Sequence, residues 1–133
     1  MTANQIILGS NICTDVIEDL TVNATAQNNV TGAAATLFGA YIDNTLNSTA
    51  VYLKIWNHAS PTVGTTAPDF SFACPAGKVV QYTWAGGVAM GVAISYACVA
   101  ETASVATGGA PVAGGTAGTT SPAKNVTIRI LVT

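Results

Sequence analysis

The chain predicts an all-β fold: a single β-sandwich or jelly roll of about seven to eight mostly antiparallel strands. Three observations lead there. Apolar and polar residues alternate in short runs rather than at helical spacing. Gly, Pro, Asn and Ser clusters separate those runs at intervals of about ten residues. The nearest helix candidate is Thr14 to Leu20, TDVIEDL, with Thr14 as its cap. One or two turns are marginal as a helix in isolation.

Residues 1–12 carry the isolated apolar patch Ile6-Ile7-Leu8, read as an N-terminal arm or an edge strand ahead of a sandwich domain over 13–133. A strand is expected near Leu20 to Ala26. Residues 36–43, TLFGAYID, form the next. After NTLNST comes Ala50 to Asn57, in which Val51, Leu53 and Ile55 face one way and Tyr52, Lys54 and Trp56 the other. HASPTVGTTAPD, 58–69, is a connection expected to cross between sheets, with Thr62, Thr65 and Thr66 satisfying the backbone locally. Residues 69–73 put Phe70 and Phe72 on one face. Pro75-Ala76-Gly77 is a tight turn, with glycine taking the positive φ of a type II turn, and Lys78 to Trp84 is expected to return as the second arm of a hairpin.

Gly86-Gly87 is expected to break the chain before a strand over 88–98. One of its faces is large (Val88, Met90, Val92, Ile94, Tyr96, Cys98) and the other small (Ala89, Gly91, Ala93, Ser95, Ala97). The large face needs a core. The small face suits either close approach of another backbone layer or solvent near a sheet edge. Residues 103–123 are low in complexity and read as a flexible Gly/Ala/Thr-rich loop. Asn125 to Val132 closes the domain with Val126, Ile128, Ile130 and Val132 inward.

Composition bounds the function. With 133 residues the chain is expected to be one domain with a core of its own. Only 8 % of residues are charged, against about 25 % in an average protein, which suits a surface covered by neighbours. Four basic residues and a net charge of −2 argue against nucleic acid and give no basis for an anionic membrane. The start MTANQIILGS lacks the basic and long apolar regions of a secretory signal, and Gly86–Ala100 is too short to span a bilayer. Cys13, Cys74 and Cys98 show no CxxC, zinc or disulfide pattern. They read as reduced thiols of a cytosolic assembly, with Cys74 and Cys98 acting as small buried hydrophobes. The sequons at Asn23, Asn29, Asn47 and Asn125 are read as Thr/Asn-rich β composition.

The search for chemistry returns little. His58, the chain's one histidine, lies near Ser60 and Asp69 and so supplies the residue types of a hydrolytic triad. Ser60 precedes Pro61, however, and no Gly-x-Ser-x-Gly elbow exists. Asp15, Glu18 and Asp19 lack calcium-loop spacing. A glycosidase carboxylate pair would have to come from Asp43, Asp69 and Glu101. The 108–118 glycines lack the Lys-Ser/Thr of a phosphate loop. No catalytic residue, metal or cofactor is expected. Trp56 and Trp84, each at a strand end, suit core closure, a subunit interface or, with the tyrosines, a glycan platform.

A string of phrases over residues 30–133 carries a resemblance. These are YIDNT (41–45), VYLKIWNHASPTVGTTAPDF (51–70), PAGKVVQYTW (75–84) with GGVAM after it, and AGTTSPAKNVTIRILV (117–132). Together they resemble a small β-sandwich or jelly-roll virion protein of tailed bacteriophages, of the capsid decoration or cement type. The resemblance implies a structural role on the outer capsid surface of a virion assembled in the host cytoplasm. It implies the major capsid protein as partner and a homotrimer as the assembly, without nucleic acid or membrane. Ile6, Ile7, Leu8, Trp56 and Trp84 are the interface candidates. The alternative is a receptor- or glycan-binding module of a tail or fibre. A hydrolase centred on His58 is the reading from the enzyme class.

Overall fold

The computed structural model describes residues 13–100, 116 and 118–133. Seven strands occur among them: β1 (Asp15–Asp19), β2 (Ala35–Asp43), β3 (Val51–Asn57), β4 (Phe70–Cys74), β5 (Val79–Met90), β6 (Ile94–Ala100) and β7 (Thr127–Val132). They form two antiparallel sheets, ordered β1-β7-β2-β5 and β4-β3-β6, and no helix occurs among the described residues. Leu37, Ile42, Ile128 and Ile130 from the first sheet and Leu53, Ile55, Ile94 and Cys98 from the second build one core. The alternation in β7 is as expected, with Ile128, Ile130 and Val132 inward and Val126 buried just before them.

The expected strand at Leu20 to Ala26 does not form. The chain instead runs along the edge of β6 through separate bonds. Val30 donates to the Ile94 carbonyl at 2.8 Å, Cys98 donates to Asn23 at 2.8 Å, and Gln27 and Tyr96 exchange backbone bonds at 2.8 and 3.1 Å. The side chain of Asn23 turns back onto the Thr25 amide, and Asn29 takes a φ of +50°. Both features interrupt a regular ladder. Counted as an eighth position beside β6, this segment completes two four-strand layers. The architecture is that of a β-sandwich.

Thr14–Leu20 is strand rather than helix. Pairing from Asp15↔Val132 to Asp19↔Ile128 gives its backbone a ladder that a seven-residue helix would lack. Two connections exchange their expected roles. Residues 58–69 join β3 to β4 within one sheet, with Val51↔Cys74 through Ile55↔Phe70 in register. They therefore close a hairpin and do not cross. The Pro75-Ala76-Gly77 turn, with Gly77 at φ +69° and Lys78 bonded back to Pro75 at 3.3 Å, carries the chain from one sheet to the other. It is a corner and not a hairpin.

Asn44 explains the corner. Its fully buried amide donates to the carbonyls of Thr49 (2.9 Å), Cys74 (3.2 Å) and Pro75 (3.1 Å). The β2–β3 and β4–β5 connections are thereby clamped at the same end of the sandwich. Asn47 adds a two-way bond with the backbone of Lys124, at 3.1 and 2.7 Å.

The strand expected over 88–98 is two strands in different sheets. Val88 and Met90 end β5, Gly91–Ala93 cross over, and Val92 is 55 % exposed. Gly86-Gly87 does not end a strand: β5 runs through it with a bulge against β2. At Gly87 (φ +68°) a Cβ would collide with Thr36 and come within 2.8 Å of Phe38, so the bulge is built on the missing side chain. Residues 1–12, with Ile6, Ile7 and Leu8, lie outside the described residues. So does most of the expected 103–123 loop.

Candidate functional surface

The outer face of the β4-β3-β6 sheet is covered by the chain itself. Ser95, Ala97 and Val99 from β6 and Lys54 and Trp56 from β3 are fully buried there. The small face of the 88–98 stretch therefore divides: Ala93, Ser95 and Ala97 lie under other backbone, while Ala89 and Gly91 meet solvent. Lys54 Nζ donates to the carbonyls of Gly118 at 2.8 Å and Thr116 at 3.4 Å. Burial holds its pKa below the ordinary lysine value. Ala100 donates to Thr120 at 2.8 Å and Ala24 to the Ser121 hydroxyl at 3.1 Å. The returning end of the expected loop is thus tied down. A fully buried lysine reads in sequence like any outward-facing strand residue, so this anchor gave no signal there.

Trp56 is 0 % exposed, and its indole donates to the Thr66 carbonyl at 3.0 Å. It is buried on the sheet's outer face under the 58–69 loop and offers no surface to a partner, which corrects its place among the interface candidates. Trp84 is different. It is half-buried on β5, with ring centroids 5.8 Å from Phe70 and 5.3 Å from Phe72. Phe72 lies 5.0 Å from Tyr82, whose hydroxyl donates to the Ala73 carbonyl at 2.7 Å. These four rings fill the seam where edge strands β4 and β5 face each other.

The triad residue types do not form a relay. The Ser60 amide donates to His58 Nδ1 at 2.9 Å, a local turn in which the imidazole acts as a cap. The Asp69 carboxylate accepts from the Asn57 amide at 2.7 Å and orients no histidine. Thr62 and Thr66 satisfy the loop as expected: the Thr62 amide donates to Thr66 Oγ1 at 2.9 Å, and the Thr66 amide returns to the Thr62 carbonyl at 2.8 Å.

The acidic residues are likewise committed to local structure. Asp43 accepts from Thr45 Oγ1 at 2.6 Å and from its amide at 3.0 Å, bonds that hold its carboxyl below its ordinary pKa. Asp43 and Asp69 sit at opposite ends of the sandwich, and Glu101 lies outside the described residues. Glu18 pairs with Arg129 at 2.7 Å on the outer face, and that guanidinium lies 5.0 Å from the centre of the Tyr41 ring. Asp19 accepts from Tyr96 at 3.1 Å. Among the described residues no group of three or more His, Cys, Asp or Glu is placed to hold a metal ion.

Comparison with known proteins finds no family model, no curated protein and no solved structure that matches this chain.

Cys74 and Cys98 are buried and free, as expected of small hydrophobes, while Cys13 is exposed. Burial pushes the Cys98 thiol from 9.0 up to about 12. Burial, then the neighbouring Asp19, raises the Tyr96 phenol above its ordinary 10.0. Both groups keep their protons in the fold at pH values where the unfolded chain has lost them. Stability from this source is therefore full below pH 9 and is lost as pH climbs toward 12. For Cys98 the loss by pH 12 is about 4 kcal/mol. The lowered pKa of Lys54 acts in the opposite sense below 10.5. Urea unfolding at pH 8 and at pH 11 is expected to show a lower midpoint at pH 11, with a smaller drop in Cys98→Ala.

Proposed function

We propose that this chain is a non-enzymatic structural component of a tailed-phage virion, a decoration or cement protein that binds the outside of the capsid and bridges major capsid protein subunits. One observation carries the reading best. The side chains with chemical promise are spent on holding backbone, His58 on Ser60, Asp69 on Asn57 and Lys54 on residues 116 and 118. What faces outward is strand with few charges, chiefly the Glu18–Arg129 pair beside β1, and a half-buried aromatic seam. A molecule of that kind acts by contact. The phrases over residues 30–133 point the same way and imply a homotrimer.

The physical mechanism is linkage. A protein that binds the assembled shell and not its dispersed subunits stabilises the shell, by about 2.7 kcal/mol per site at a hundredfold excess over Kd. Symmetric copies multiply a modest contact through effective concentration. The test uses shells assembled from the major capsid protein of the phage genome that encodes this chain. Purified protein is expected to co-sediment with expanded shells and to raise their rupture temperature. Equal rupture temperatures with and without it contradict the reading.

Half-buried Trp84 beside Phe70 favours a second reading, the glycan- or receptor-binding module. Burial of Trp56 removes one of the two tryptophans of the platform that reading began with. Glycan-array binding lost in Trp84→Ala would support it.

A further inference from the structure

The two sheets have four edge strands, and three are blunted. β1 is five residues long and carries Asp15, Glu18 and Asp19. β6 is lined by Asn23, Gln27, Val30 and Thr120 through backbone bonds. β4 is five residues long, and its Ala73 carbonyl accepts the Tyr82 hydroxyl. These are the ordinary devices against unwanted strand pairing.

β5 has none of them over residues 79–83. It is twelve residues long, contains no charge and no proline, and pairs only with β2 among the described residues. Its first seven residues, Val79 to Ala85, are rich in strand-forming types. Alternate residues of an edge strand direct their N–H and C=O groups away from the one neighbour they have. The register against β2 is regular over residues 79–83, and the bulge over residues 84–87 then interrupts it before Val88. On the inner side Val80, Tyr82 and Trp84 pack against the core, and the seam they share with Phe70 is only partly covered.

We propose that β5 is a self-association edge, on which a second copy of this chain adds its own β5 antiparallel about a twofold axis near Tyr82. Charge selects this occupant. Two β5 strands set no charged side chain opposite another, whereas two β1 strands would oppose three carboxylates with three more. The register brings Val80 of each copy opposite Trp84 of the other, a β-branched–aromatic pair, and extends the aromatic seam across the axis. The four-stranded sheets join into one of eight strands. Gln81 and Thr83, both exposed, fall opposite each other. The contact is isologous and closed, so it yields a dimer. It does not depend on the capsid reading, and it sets a dimer in place of the homotrimer that the resemblance implies.

The test is the solution mass of the full chain by light scattering across about 1–100 μM, with far-UV circular dichroism to follow the fold. The wild type is expected at twice 13.3 kDa. Gln81→Lys with Thr83→Lys puts like charges opposite one another and is expected to give folded monomer, as is the matching Gln81→Glu with Thr83→Glu. Mixing the two double variants restores the dimer through opposite charges. Val16→Lys, on the exposed face of β1, leaves the mass unchanged. A monomeric wild type overturns the proposal. So does a dimer or trimer that survives both double variants, or a lysine and glutamate pair that does not reassemble when mixed.

Discussion

Asn44→Asp is expected to cost about 3–5 kcal/mol at neutral pH, a large part of a total stability of about 5–15 kcal/mol. The change is nearly isosteric, so packing is not the reason. The Asn44 amide is the donor to three carbonyls at the corner, and its own Oδ1 is buried without a hydrogen-bond partner. A carboxylate there supplies no donor and faces three oxygens. Its pKa in the fold is therefore raised above the ordinary carboxylate value. Stability from the protonated form is then full below about pH 4 and is lost as pH rises through the folded value. Chemical denaturation from pH 3 to 7 is expected to show the gap between variant and wild type widening with pH. A gap independent of pH would mean that the amide donor is not what holds the corner.

Trp56→Ala is expected to cost about 3–5 kcal/mol, lowering Tm by roughly 10 °C or more. The side chain is the largest fully buried one in the described chain and leaves a cavity under the 58–69 loop. Trp56→Phe keeps most of the volume and loses the bond to Thr66, so it is expected to cost about 1 kcal/mol for that bond. The comparison separates packing under the 58–69 loop from surface recognition. Trp84→Ala, at a half-buried position, is expected to cost less stability than Trp56→Ala. Equal thermal stability of Trp56→Ala and wild type would return Trp56 to the surface.

The strands are legible from the alternation of their core-facing residues. Val126, Ile128, Ile130 and Val132 alternate against the core as their spacing requires, and so do Val51, Leu53 and Ile55. Connectivity was not legible. A Pro-Ala-Gly turn serves a hairpin or a corner equally well, and the deciding element is Asn44, about thirty residues away in sequence. The reversed roles of the 58–69 loop and the 75–78 turn follow from that one long-range clamp. The second faces of β3 and β6 also escaped the pattern. Lys54 and Trp56 read as outward residues, and they are outward from the core, but a third layer of chain covers them.

The site was legible mainly by subtraction. Ser60-Pro61 and the missing nucleophile elbow already weighed against a triad, and the bonds of His58 and Asp69 show both residues serving the loop. Trp84 was marked as an interface residue from its place at a strand end. The property on which the proposed association edge rests, that β5 has no strand beyond it among the described residues, belongs to sheet order. Sheet order is set by pairings between distant segments, and local residue types do not encode it.

The central claim is that this protein works by contact on a capsid exterior. An electron-cryomicroscopy map of the intact particle produced by the genome that encodes the chain tests it most directly. The account predicts density for the β-sandwich at symmetric positions on the outer shell, touching more than one major capsid subunit. Density on the tail instead, or a complete particle without this chain, would contradict it.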